Sequence, residues 1–309
     1  MRTYIIRRIL QMIPVFLLVT IIAFGLMNIV PGDPVVTMLG PRAASQKNMV
    51  ERIRHEYGLD QPLIVQYVRF LSGVLHGDFG RSFFYHQPVL DLILERFPLT
   101  ITLAILAMIV DLAIGIPAGT ISALKQYSIW DYSGMIVALI GVSMPVFWLA
   151  LLLQMLFAYQ LGWLPVSGLS EGWRSLVLPA VTLGLVGSAS TARMTRSCLL
   201  EVLRDDYVRT ARAKGLAERL VIGRHVFRNA LIPLVTMEAI GFGAYLTGVA
   251  FIEIVFGLPG VGKLLLDATF NRDLFLIQGD VIFTAFIFLS VNLIVDILYG
   301  FLDPRIRYQ

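Results

Sequence analysis

The sequence predicts an all-α polytopic membrane protein with six transmembrane helices, and three observations predict it. Of the 309 residues, 57% are hydrophobic and 15% charged, against roughly 45–50% apolar and about 25% charged in soluble domains. Several apolar runs reach the roughly 20 residues that a bilayer requires, whereas the strands and helices of a soluble α/β core would be shorter or one-sided. Lys and Arg also concentrate in alternate connecting segments, as cytoplasmic loops do. A single cysteine, Cys198, excludes an internal disulfide and a Cys-based zinc site. Bilayer and packing must hold the chain. A pI near 9.3 then records topology rather than nucleic-acid binding.

The first span, about Ile9–Val30, follows Arg7 and Arg8 as a signal peptide would. Its apolar run exceeds the roughly 7–15 residues of a signal core and no small-x-small cleavage site follows, so it reads as a retained helix. The second runs over Leu99–Leu124. The third, Tyr132–Leu161, is long enough to hold a break, and "VSMPVFW" supplies one at Pro145, which lacks a backbone donor. Leu176–Ala192, Ile232–Phe256 and Val281–Leu302 complete the set. Six spans put both termini on one side. With that side inside, the inner segments hold fifteen Lys/Arg and the outer segments ten. Seven of the ten lie in the long 31–97 stretch, matched there by seven Asp/Glu, and long loops translocate largely regardless of charge. The short loops set an N-in, C-in topology.

Between spans one and two, residues 31–97 alternate turn signals ("PGDP", "GLDQP", "LHGDFG") with amphipathic pieces such as Lys47–Tyr57. The stretch reads as a small folded extracytoplasmic region with Tyr57, Tyr67, Phe70, Phe79, Phe83 and Phe84 as its core. Between spans four and five the chain turns strongly polar, with nine Lys/Arg from Arg193 to Arg228. Good helix formers fill Glu201–Lys214, Gly215 offers a stop, and Ala217–Asn229 resumes a helix that Pro233 is expected to close. Small residues at Ala211, Ala213 and Gly215 would let another protein approach, while Arg209, Arg212 and Lys214 offer it charge. Topology needs only a few charges and does not require a glycine-turned helical pair, so the loop reads as a docking element.

Three motifs fail on inspection. "GLPGVGKL", Gly257–Leu264, nearly matches a phosphate loop, but Leu264 has no hydroxyl for Mg²⁺ and the stretch is expected outside; it reads as a turn after the fifth span. "HEYGL" places Leu59 where a zinc-protease helix needs its second histidine. His76, His86 and His225 lie outside the spans, so intramembrane Ser–His catalysis lacks a base. No catalytic, cofactor or metal site is expected. Asp111, Glu238, Glu253 and Asp296 do fall within spans, where carboxylates are costly. They could serve proton coupling, or be structural and paired.

"DDYVRTARAKGL" followed by "RHVFRNALIP" resembles the cytoplasmic loop of permease subunits in dipeptide/oligopeptide-type ABC importers. The likeness covers nearly the whole chain: "IPVFLLVTIIAF" and "IVPGDP", "GLDQPLIVQYVRFL" and "HGDFGRSF", "GVSMPVFWLALLL", "ARMTRSCLLEVL", "EIVFGLPGVGKLL", "NRDLFLIQG" and "VNLIVDILYGFLDPRIR". The resemblance implies one importer transmembrane domain over residues 1–309, with 31–97 extracytoplasmic and 193–231 forming a coupling loop that enters a groove of a cytoplasmic ATPase. The matching positions are Tyr207, Arg209, Thr210, Ala211, Arg212, Ala213, Lys214 and Gly215, then His225, Arg228, Asn229 and Pro233. The wider importer pattern E-A-A-x-x-x-G is not kept, since Arg209, Thr210 and Ala211 precede Gly215 at the first three positions; any contact made by that glutamate is absent here. Ser143, Met144, Pro145 and Glu238 are expected along a solute path.

The implied partners are a second homologous permease, as a heterodimer, two cytoplasmic ATPases, a solute-binding protein and membrane lipid, with no nucleic acid. The implied location is the bacterial inner membrane. Peptides are the expected solutes, with nickel, glutathione, opines and oligosaccharides as alternatives. A different class, an ion-coupled transporter using Asp111 or Glu238, would work without ATPases. An intramembrane hydrolase would need a nucleophile that the sequence does not offer.

Overall fold

The computed structural model describes residues 2–29, 35–36, 47–56 and 58–302. The "PGDP" turn at Pro31–Pro34, Tyr57 of the expected aromatic core, and Arg305 and Arg307 of the charge count lie outside the described residues. Among the described residues, the chain is helical apart from turns and one isolated bridge between Arg81 and Pro88. It divides into two compact units, Met1–Pro98 with Pro259–Leu293, and Leu99–Leu258 with Ile294–Gln309.

The first unit opens with α1, Arg2–Ile29, which carries Pro14 without ending there. The amphipathic helix expected from Lys47 is α2, Lys47–Glu56. Helix α3, Leu63–Leu75, lies along α1: Tyr67 meets the Phe24 ring at 5.5 Å, Phe70 stacks on it at 6.0 Å, and Thr20 Oγ1 sits 3.0 Å from the Tyr67 hydroxyl. The chain then turns at Gly77 and Gly80, both at φ 81°, a conformation that favours glycine. It enters α4, Val89–Leu124, whose first turns pack on α10, Val261–Phe270, and on the start of α11, Leu274–Leu302. The expected separate aromatic core is corrected here. Tyr67 and Phe70 lean on α1, Phe79 joins the packing around Val74 and Ile282, and Phe84 is exposed.

Asp273 ties this unit together. It caps α11 by accepting from the Leu276 backbone N–H at 3.2 Å, and its other oxygen accepts from Ser82 Oγ at 2.5 Å and the Phe84 N–H at 2.9 Å. One buried carboxylate thus fixes residues 82–84 to the mouth of a long apolar helix.

Helix α4 starts well upstream of the expected Leu99, with Pro98 inside the helix rather than at its edge, and its residues from Leu99 on belong to the second unit. Helix α5, Ile129–Ser143, is capped by the Ser128 side chain, and α6, Val146–Leu153, passes into π-helical turns over Gln154–Gln160. Between α5 and α6 the axis bends by 106°. Met144 is extended, at φ −85° and ψ 131°, because the ring of Pro145 disfavours a helical residue before it. The break expected at Pro145 is present, and it is far larger than a kink.

Helix α7, Arg174–Val202, outruns the expected Leu176–Ala192 and carries Pro179 inside. After the polar loop's first helix come π-helical turns over Val221–Val226 and α9, Phe227–Val255. Pro233 does not close that helix, which corrects the expectation from sequence. It lies at the seventh position of α9, past the first turn, and α9 runs on to Val255. The helix then ends in a Schellman turn: Gly257 has φ 63°, its N–H reaches Ile254 O at 3.2 Å, and Leu258 N–H reaches Glu253 O at 2.8 Å. "GLPGVGKL" is therefore a turn, as expected. Among the described residues four helices (α1, α4, α7, α11) are long and apolar enough to cross a membrane, and the bent α5–α6 pair would make a fifth.

Candidate coupling surface and transmembrane seam

The polar loop folds as helix, turn, helix. Helix α8, Asp206–Ala213, is two turns long and has one buried edge: Val208 and Ala211 sink into a core of Ala123, Cys198, Leu199, Val221, Val226, Ala230 and Leu234. Three residues apart, they share one helix face. The opposite face presents Tyr207, Arg209, Thr210, Arg212, Ala213 and Lys214. Ala211, expected on the approach surface, is buried at 6% exposure; it positions the helix instead.

Gly215 ends α8 as expected. At φ 75° it donates to Arg212 O at 2.9 Å, and Leu216 N–H reaches back to Ala211 O at 3.4 Å, a second Schellman turn. No atom lies within 4 Å of the position a Cβ would take there. Two contacts brace the turn. Arg212 holds Glu218 at 2.7 Å, and this hydrogen-bonded guanidinium lowers the Glu218 carboxyl below its ordinary range while raising its own. Asn229 Nδ2 donates to the Tyr207 hydroxyl at 2.8 Å and to the His225 carbonyl at 3.1 Å. Tyr207, His225 and Asn229, separated in sequence, thus meet around one amide, while Arg228 is exposed beside them and Pro233 stands apart, inside α9.

Behind this surface α7 is clasped by its neighbours. Gly115 and Gly119 of α4 face it so closely that a Cβ on Gly115 would lie 2.7 Å from Thr191 Cβ, and one on Gly119 2.6 Å from Thr195 Cβ. Gly184 of α7 returns the approach, 2.6 Å from Ala107 O by the same construction. Such small-residue seams let backbones pack where lipid supplies no hydrophobic drive. Asp131 at the start of α5 takes a forked pair from Arg196 of α7, at 2.7 and 2.8 Å, and is also bonded to Ser122.

Each of the four carboxylates that the sequence places within the spans has at least one partner, although Asp111 Oδ1 is buried without one. Tyr245 donates to Asp111, Thr191 Oγ1 to Glu238 at 2.6 Å, and Thr100 Oγ1 to Glu253 at 2.5 Å; Asp296 is engaged as well. Glu238, expected along a path, is buried between α7 and α9. Ser143 and Pro145 are exposed at the α5–α6 break, with Met144 half-buried between them.

Residues 115–308 match the family described as binding-protein-dependent transport system inner membrane component, and residues 1–104 match the N-terminal family of the same transport-system components. The chain belongs to this family. It is 46% identical to a putative peptide transport system permease protein of Brucella abortus, 41% to the di/tripeptide transport system permease DppB of Pseudomonas aeruginosa, and 41% to the glutathione transport system permease GsiC of Salmonella paratyphi A, covering all of each. Its fold is similar to an inward-facing MetNI methionine ABC transporter, with TM-score 0.60 and 16% identity over 69% of this chain and 96% of that one. An amino acid ABC transporter crystallised with histidines gives TM-score 0.54 and 15% identity, over 76% and 98%. The permease is thus a multi-pass component of the bacterial inner membrane, in an ABC importer.

Sequence reasoning missed the α4–α7 seam and Asp273. Both carried a signal: "GIPAG" is a small-xxx-small pair at Gly115 and Gly119, and "NRDLF" sets an aspartate directly before a helix. The inward turn of Ala211 left no comparable mark.

Proposed function

We propose that this permease forms half of a translocation pathway for peptides and couples it to ATP hydrolysis by two cytoplasmic ATPase subunits. The observation that carries the reading is α8: a short helix anchored by Val208 and Ala211 to the ends of α7 and α9, with Tyr207, Arg209, Thr210, Arg212, Ala213 and Lys214 left outward. A helix held in this way transmits force, because moving it moves the core at the ends of two long helices. ATPases that bind it more tightly in one packing of the spans than in the other would bias the pathway between inward-facing and outward-facing states.

Six spans, N-in and C-in, complete the reading, with the bent pair as the third and α9 as the fifth. A second homologous permease supplies the other half of the path, Ser143, Met144 and Pro145 line it at the break, and a solute-binding protein delivers at the outer face. Peptide as solute is supported by the names of full-length relatives, and a glutathione permease among them fits the same chemistry, since glutathione is itself a tripeptide. Proton coupling through Asp111 or Glu238 is not favoured, because each carboxylate has a hydroxyl partner that gives it a structural role.

Mass spectrometry of what copurifies with the tagged permease from gently solubilised native membranes tests the assembly. The expected result is a second permease with one or two ATPases. A chain that emerges alone and still transports would contradict it. Reporters fused after Leu216 and after Asp267 should report cytoplasm and exterior respectively, and the reverse would overturn the topology.

A further inference from the structure

A cleft of about 380 Å³ opens in the first unit, beside the α1 end that carries Phe24 and Met27. Its size falls in the range of small-ligand sites, roughly 300–1,000 Å³. Its floor is apolar and aromatic, from Phe24, Met27, Phe70, Phe79 and Phe275, and its rim carries both signs of charge: Glu56 and Asp78, Arg69 and Arg81. Among the described residues no ion pair joins these four. Asp78 spends one oxygen on the Gly80 N–H at 2.9 Å, and Arg81 spends one nitrogen on the His86 carbonyl at 3.1 Å. The remaining oxygen and nitrogens are free to face a ligand. Gln278, 6% exposed, also lines the cleft, and its Nε2 has no hydrogen-bond partner. A buried amide donor left unsatisfied is costly, and a ligand acceptor would relieve that cost.

We propose that this cleft is a binding site for a short peptide with free termini, two or three residues long, occupied before the peptide enters the membrane path. The chemistry is complementary at each point. A peptide carboxylate pairs with the guanidiniums of Arg69 and Arg81, which suit it as forked donors. The α-ammonium pairs with Glu56 or Asp78, a backbone carbonyl takes the Gln278 amide proton, and side chains rest on the aromatic floor without strict selection. Opposite charges on one rim fit a zwitterion better than an anion or a cation alone. With the N-terminus of α1 inside, the Phe24–Met27 end lies outside, where solute arrives. The inference rests on the peptide reading and adds a place in the permease itself at which peptide is held.

The test uses the assembled importer in nanodiscs without its binding protein, and trialanine as the probe. Saturation-transfer NMR should detect trialanine on the importer and should not detect N-acetyl-trialanine amide at the same concentration. The Arg69→Gln/Arg81→Gln pair should raise the half-saturating concentration about tenfold or more, and Gln278→Leu by about threefold to tenfold. Gln278→Leu keeps the volume of a buried side chain and guards against a folding artefact of the charge changes. Equal signals from free and blocked peptide, or variants that bind as the wild type does, overturn the site. Variants that bind trialanine normally but weaken stimulation of ATP hydrolysis by the binding protein would also overturn it, as they would make the cleft a protein contact. Peptide uptake by the wild-type importer is measured alongside. If uptake is intact while the cleft binds nothing, only this inference fails; if no peptide is taken up, the substrate reading fails with it.

Discussion

Helices α1 and α7 are both long enough to cross a bilayer, yet 11% of the apolar stretch of α1 is buried within the chain against 61% of that of α7. The more apolar helix is the less buried one. Leu10, Ile13, Leu18, Ile21, Ile22 and Leu26 of α1 are all exposed, while α7 turns Gly184, Ser188, Thr191, Ala192 and Thr195 into protein. In water this order would be inverted. In lipid, large aliphatic residues gain nothing by leaving the hydrocarbon, so the enclosed helix is marked by small residues that let backbones approach and by hydroxyls that satisfy buried carboxylates. The helix that ends beside the polar loop is therefore the one that, among the four long apolar helices described, looks least like a membrane span in sequence.

Substitutions can break that contrast, and their effects should descend in order. Gly119→Leu should be the most damaging, because its side chain would enter the space of Ala192 O and Thr195. Overpacking costs roughly 1–3 kcal/mol and more against backbone, and the yield of monodisperse protein in mild detergent should collapse. Arg196→Ala leaves Asp131 buried without its forked partner and should cost roughly 3 kcal/mol. Thermal unfolding in detergent would register it, and Asp131→Asn added to it should recover part of the loss. Gly215→Val places a branched residue at φ 75°, a strain of about 1–2 kcal/mol. Since nothing crowds that position within the chain, the protein should reach the membrane in normal amount while ATP hydrolysis proceeds without uptake. Leu18→Ala on α1 should shift stability by no more than about 0.5 kcal/mol; a loss as large as that from Arg196→Ala would mean that α1 is held by a protein surface.

The helical class, the break at Pro145 and the stops at Gly215 and Gly257 were legible in sequence, since each follows from local chemistry: run length, a ring that excludes a donor, a glycine that tolerates positive φ. Helix ends were less so. Pro233 suggested a boundary and lies inside a helix, as Pro98 does in α4, because neighbouring helices and local adjustments can re-satisfy the backbone group that a proline leaves unpaired. The composition of the polar loop suggested a docking element, but not which of its faces stays outward. That depends on Val208 and Ala211 finding Leu199, Val221 and Val226, partners from neighbouring segments that no local pattern specifies. The meeting of Asn229 with Tyr207 is a tertiary fact of the same kind.

The central claim, that the outward face of α8 meets a cytoplasmic ATPase, is tested most directly by a photo-crosslinker. p-Benzoylphenylalanine placed at Ala213, exposed on that face, should on irradiation of native membranes yield an adduct whose mass spectrum contains ATPase peptides, with a yield that changes when ATP is bound. Adducts with lipid alone, or no ATPase adduct from a variant that still imports, would contradict the account.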